Sequence, residues 1–159
     1  MDDSVDRHLA RWKGYAPFDE RTEGIVTRMQ FLVRQLHQAK DRALVEVGLQ
    51  QFEFETLHWL VAHGGRATPS QLAGELKISP AGITGRLDTL EKAGLLRRTR
   101  GERDRRRVDV EISDLGRELW TGAQRIRGEV EDGMVGALGV EERDALNALL
   151  KRMLLAVEE

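Results

Sequence analysis

The sequence predicts a mainly α fold carrying one small β-hairpin. Three observations lead there. Apolar residues recur at helical spacing over most of the 159 residues. Two cap-plus-proline pairs, Thr68-Pro69 and Ser79-Pro80, mark helix starts in close succession. Val108, Val110 and Ile112 then alternate with Asp109 and Glu111, the period of a strand with its apolar side inward.

Taken in order, Asp3 to Gly14 reads as a short helix in which Val5, Leu9 and Trp12 share a face, and Pro17 ends it. Asp19 to about Val47 is a long helix with Ile25, Met29, Leu32 and Leu36 in one stripe beside Val26 and Val33; Gly48 ends it. Gln51 to His63 carries Phe52, Phe54, Leu57, Leu60 and Val61, and Gly64-Gly65 stops it.

Thr68-Pro69-Ser70-Gln71 is a capping box with proline at the first helical position. Leu72, Ala73 and Leu76 form the apolar face of that helix, and Ile78 lies in the turn. Ser79 caps a second helix from Pro80 to Ala93, with Ile83, Leu87 and Leu90 on its buried side. At about 100° per residue, Ala81, Gly85 and Asp88 point away from that side, flanked by Gly82, Thr84 and Thr89. Such small residues pack poorly against protein but permit close approach to a DNA groove, where Thr84 would reach base edges. Two helices joined by so short a turn form a helix-turn-helix whose second helix reads DNA.

Gly94 closes the second helix, and Leu95-Leu96 leads into a strand. Between this strand and the one ending at Ile112 lies Arg97 to Arg107, with seven arginines and two acids. That segment carries +5 in a chain of net charge −2, which leaves −7 for the remainder. A basic turn on an acidic protein is either solvated surface or an electrostatic footprint for phosphate. The order of capped helix, capped helix and basic hairpin favours the second.

Ser113 or Asp114 caps a helix from Leu115 to about Leu138, with Leu119, Ile126, Val130 and Met134 along it. Gly139 breaks it, and Val140 to Glu158 closes the chain with Leu146, Leu149, Leu150, Met153, Leu154 and Val157 in one stripe. Amphipathic helices at both ends supply more apolar face than one small domain buries, which predicts an isologous dimer. Residues 1–47 and 115–159 are expected to dimerise, Trp12 and Tyr15 among them, and 48–114 to bind DNA. A two-fold axis would set the reading helices on half-sites about one helical turn, ~34–36 Å, apart.

The segment Pro69 to Leu115, with "LEKAGLLRR" from Leu90 and Asp104-Arg105-Arg106-Arg107, resembles the winged helix-turn-helix of MarR-type transcriptional regulators. The resemblance runs over nearly the whole chain. It implies a dimeric repressor on a pseudo-palindromic operator, with Ser79–Ala93 in the major groove and Arg106 entering the minor groove from the wing. Arg105 assists Arg106, and Arg103, Arg107, Ser70 and Ser79 are the expected phosphate contacts. The alternative is a winged-helix module that binds an acidic protein surface and no DNA.

A finer resemblance, to the urate-responsive branch of that family, rests on the extra N-terminal helix with Trp12, on Glu55, on Arg86 and on Arg98. It implies that these four bind a small anion: a ring to stack, two arginines for the charge and an acid to be displaced. Arg86 borders the buried side of its helix and needs a partner, Glu55, Asp88 or the anion itself. Glu55 stands where that branch has aspartate, so citrate- or aconitate-like polycarboxylates suit the arginines as well as urate does.

Catalysis has no foothold here. The sequence contains no P-loop, no dinucleotide glycine pattern and no Gly-x-Ser-x-Gly elbow. His8, His37, His58 and His63 lack ligand spacing, and no cysteine is present, so neither a metal nor another cofactor is expected. No apolar run reaches the ~20 residues of a membrane span, and the acidic N-terminus lacks a signal pattern, which predicts a cytoplasmic protein.

Overall fold

The computed structural model describes residues 2–15, 19–100 and 108–158. They form two compact units, Met1–Lys40 and Asp41–Glu159, with the boundary inside one long helix.

In the first unit, α1 (Ser4–Trp12) is started by Asp3, whose side chain accepts from the Val5 and Asp6 amides while the Asp6 carboxylate accepts from the Asp3 amide. The helix α2 (Glu20–Glu46) begins alongside it. Val5 is buried, Leu9 lies against Gly24, and Arg28 donates to the carboxylates of Asp3 and Asp6. Ile25, Val26, Leu32 and Val33 of α2 are exposed, while Met29 and Leu36 of the stripe read from the sequence are half-buried. Pro17, the expected stop of α1, lies outside the described residues.

The second unit contains α3 (Gln51–Ala62), β1 (Arg66–Ala67), α4 (Pro69–Glu75), α5 (Pro80–Lys92), β2 (Leu96–Arg100), β3 (Val108–Ile112), α6 (Asp114–Val135) and α7 (Val140–Glu158). Leu44, Leu57, Leu60, Leu72, Ile83, Leu87, Leu90 and Val110 are the centre of one core that joins α3, α4, α5 and the sheet. Both proline-started helices form as expected: the Thr68 and Gln71 side chains complete the capping box, and Ser79 Oγ accepts from the Gly82 amide. Lys77 makes the turn between them with a φ of 51°, in the left-handed region.

The antiparallel sheet has the order β1-β3-β2. Its first strand was not anticipated, because two residues carry no readable period. Two expectations for the hairpin need correction. The strand β2 runs to Arg100, so Arg97, Arg98 and Arg100 are paired strand residues opposite Glu111, Val110 and Val108, not part of the turn. On β3 the alternation breaks: Val108 is exposed and Asp109 is buried. A carboxylate is tolerated there because Arg66 of β1 bonds to it.

Gly94, with φ at 73°, turns the chain out of α5, and Ser113 Oγ donates to its carbonyl at 2.6 Å while capping α6. Every residue of α7 that is described is exposed, including Leu146, Leu149, Leu150, Met153 and Leu154. Among the described residues no helix is long and apolar enough to cross a membrane.

Candidate nucleic-acid interface

The helix α5 buries Ile83, Leu87 and Leu90 and leaves Ala81, Gly82, Thr84, Gly85, Asp88 and Thr89 outside the core on its other side. The apolar period of the sequence determines both faces at once, since anchoring one stripe presents the other. Gly85 has open space where a Cβ would stand, so close approach at that point meets no protein atom. Thr84 Oγ1 donates to the Pro80 carbonyl at 2.9 Å, and Thr89 Oγ1 donates to Gly85 at 3.1 Å. Ser70, in the first turn of α4, and Ser79 precede this face in the chain, each at the start of its helix.

At the base of the wing, Arg98 is tied to α5. Its Nη1 lies 2.7 Å from Asp88 Oδ1 and 2.8 Å from Glu91 Oε2. Its amide donates to Glu91 Oε1 at 3.0 Å and its Nη2 to the Thr84 carbonyl at 3.3 Å. Charge-assisted bonds of this kind hold the strand and the helix in one geometry. Arg103, Arg105, Arg106 and Arg107, the expected wing contacts, lie outside the described residues.

The expected effector residues divide. Arg86 pairs with Glu55 of α3, Nη1 to Oε2 at 3.2 Å, with the guanidinium carbon 5.8 Å from the centre of the Phe52 ring. Of the two acids that might have paired with Arg86, Glu55 does so and Asp88 pairs with Arg98. Arg86 and Asp88 are two residues apart on one helix, so these two ion pairs leave α5 on opposite sides. The structure therefore does not present two free arginines facing one anion. Trp12 belongs to the first unit, where its ring is half-exposed, 6.5 Å from that of His8.

The sequence does not reveal the partners of four residues. Nothing in the spacing of Glu91 signals the strand that pairs with it. Arg66 and Asp109 meet only because β1 pairs with β3. His58, one of the four histidines without ligand spacing, is exposed, stacks on Phe54 and accepts from Trp120 Nε1 at 3.4 Å. Among the described residues no group of three His, Cys, Asp or Glu is placed to hold a metal ion.

Residues 49–108 match the protein family described as the MarR family. The HTH-type transcriptional regulator PecS of Dickeya dadantii (strain 3937) is 33% identical over 132 residues, which span 82% of this chain and 78% of PecS. The chain belongs to the MarR family. MarR-family proteins are transcriptional regulators and not enzymes, and this member is a DNA-binding transcription regulator built on a winged helix-turn-helix. Solved structures share its fold. The YusO protein of Bacillus subtilis superposes with a TM-score of 0.79 at 21% identity, over 89% of this chain and 99% of YusO. A single-residue mutant of S. aureus MepR, solved bound to an oligodeoxyribonucleotide, gives 0.68 at 24% identity, over 84% of this chain and 97% of MepR.

Proposed function

We propose that this MarR-family regulator is a homodimeric, cytoplasmic repressor of its own and neighbouring genes. It would bind a pseudo-palindromic operator and be released by a small anion. The observation that supports this best is the exposed Ala/Gly/Thr face of α5, held by Arg98 to a strand that leads into the arginine-rich segment. In this reading α5 enters the major groove with Ala81, Gly82, Thr84, Gly85 and Asp88 foremost. Ser70, Ser79, Arg103 and Arg107 take phosphates, and Arg105 and Arg106 go to the minor groove. The second copy would cover the exposed apolar stripe of α7, whose Leu149 and Leu154 are 53% and 58% exposed.

The effector reading rests on the Arg86–Glu55 pair. An anion of urate or citrate type would compete with Glu55 for Arg86, and would reach Arg98 only if Asp88 and Glu91 release it. Either event would re-aim α5 and change the half-site spacing.

The test is fluorescence anisotropy on the duplex upstream of the gene for this protein, beside a scrambled duplex and the Arg106→Ala variant. The expected result is tight, salt-sensitive, sequence-selective binding that weakens in the variant, with the salt slope falling by about 1 for each phosphate-contacting arginine removed. Urate and citrate, titrated separately, should then release the DNA. Equal weak binding to both duplexes, insensitive to Arg106, would favour a winged-helix module that binds an acidic protein partner.

A further inference from the structure

We infer that α5 reads its operator through hydrogen-bond acceptors, with Asp88 accepting from the N4 amino group of a cytosine in each half-site and Arg98 aiming the Asp88 carboxylate. This deepens the operator-binding reading above and rests on it.

The inference starts from which atoms the exposed face of α5 can offer. Ala81, Gly82 and Gly85 have no polar side chain. Thr84 and Thr89 have hydroxyls, but both hydrogens are turned back onto carbonyls of the same helix, those of Pro80 and Gly85. What each threonine shows outward is a methyl group and the lone pairs of its oxygen. Asp88 is half-exposed and, when ionised, only accepts. Lys92 is the one side-chain cation on this side among the described residues of α5, and it sits in the last turn. Lys92 lies about one turn beyond Asp88, at the end of the helix.

Arg98 is the remaining donor near the face, and three of its five N–H groups are engaged by α5 and its acids. Nη1 serves Asp88 Oδ1 and Glu91 Oε2, and Nη2 serves the Thr84 carbonyl. The side chains that α5 itself sets on this face, short of its last turn, thus offer acceptors and methyl groups.

The major-groove edges of the bases sort themselves against such a surface. Guanine shows only acceptors, N7 and O6, so it meets like against like. Adenine offers its N6 amino group but sets the N7 acceptor beside it, which repels a carboxylate. Thymine offers a methyl group, which suits Ala81 and the threonine methyls. Cytosine presents a donor with no acceptor on its own base, flanked only on one side by the guanine O6 of the pair, and a carboxylate is its matching partner.

A bare carboxylate in a groove lined by phosphate would be repelled. The ion pair offsets that charge and fixes one oxygen, Oδ1, so that Oδ2 is left for the base. Arg98 is a positioning residue in this arrangement; Asp88 makes the contact.

The test is selection of duplexes from a random library by the full-length protein, with Asp88→Asn and Arg98→Gln in parallel, followed by Kd measurements on the enriched duplex and its single-base variants. Wild type should enrich cytosine at one symmetry-related position in each half-site and lose on the order of 10- to 100-fold in affinity when that base is changed. Asp88→Asn, which keeps the shape and adds a donor, should change the preferred base there to adenine. Arg98→Gln should flatten the preference at that position and leave other positions of the motif intact, which a merely destabilised protein would not do.

An Asp88→Asn motif identical to that of wild type overturns the inference, as does guanine at the position nearest Asp88. An unchanged preference in Arg98→Gln overturns the aiming role. Failure of wild type to enrich any motif overturns the operator-binding reading itself.

Discussion

Arg66 donates from Nη2 to Asp109 Oδ2 at 2.8 Å, which ties the short β1 to the buried face of β3. The two ends of this bond differ: Asp109 is 5% exposed, whereas the Arg66 side chain is 43% exposed. Removing the arginine takes two charge-assisted hydrogen bonds from a buried carboxylate, whereas removing the carboxylate leaves a half-exposed guanidinium that keeps Glu111 at 3.3 Å. Arg66→Ala should therefore cost about 1–3 kcal/mol and Asp109→Leu clearly less. Urea unfolding of both variants checks the order; equal losses would mean that burial of the carboxylate is not the cause.

Two helical glycines should respond in opposite directions. A Cβ on Gly116 of α6 would collide with the Leu95 carbonyl, backbone that cannot swing aside. Gly116→Ala should destabilise by about 1–3 kcal/mol, the usual cost of overpacking. Gly133 is exposed, with open space where a Cβ would stand, and Gly133→Ala should stabilise by about 0.5–1 kcal/mol. Thermal melts of the pair provide the comparison.

The two faces of α5 should separate stability from DNA binding. Leu87 is 1% exposed, and Leu87→Ala should lose about 2–5 kcal/mol. Thr84→Ala removes an exposed side chain whose hydroxyl bonds only its own helix, so stability should stay within about 0.5 kcal/mol. Weaker operator binding by Thr84→Ala at unchanged stability is the expected result, read by anisotropy beside denaturant curves.

The start of α1 should be acid-sensitive. The Asp6 amide holds the Asp3 carboxyl below its ordinary value of 3.8, and the hydrogen bond from Arg28 lowers it further. A depressed native pKa means that the contribution is complete above the unfolded value and is lost as pH falls through the native one. Asp3 should therefore titrate below 3.8 by NMR, and Arg28→Gln should move it only part of the way back, because the amide bond remains. A full return to 3.8 in that variant would assign the shift to Arg28 alone.

The exposed stripe of α7 predicts the assembly state. Leu150 and Leu154 are 42% and 58% exposed, and a second copy is the partner proposed for them. Leu150→Glu with Leu154→Glu should convert a dimer into a monomer by sedimentation, and operator affinity should fall with it. A double variant that still sediments as a dimer would place the interface elsewhere.

Most helices were legible because their signals are local. A capping side chain, a proline at the first turn and an apolar period lie within a few residues of one another, so Thr68, Ser79 and Ser113 mark their helices without knowledge of the rest. The exposed side of α5 was legible for the same reason, as the complement of Ile83, Leu87 and Leu90. The sheet was read less well. Two-residue β1 has no period, and the end of β2 depends on pairing with β3 that no local pattern contains.

Local signals along the chain set the helical register, the caps, the turn between α4 and α5 and the membership in a family of regulators. Those follow from short-range sterics, hydrogen bonding and residue order. The tertiary structure alone decided which charges meet. Asp109 is buried because Arg66 arrives from another strand, Glu55 takes Arg86 because α3 lies beside α5, and Asp88 with Glu91 takes Arg98 because β2 returns along that helix. Ion pairs between elements depend on distances of a few ångströms across the fold, and a linear order of residues does not contain those distances.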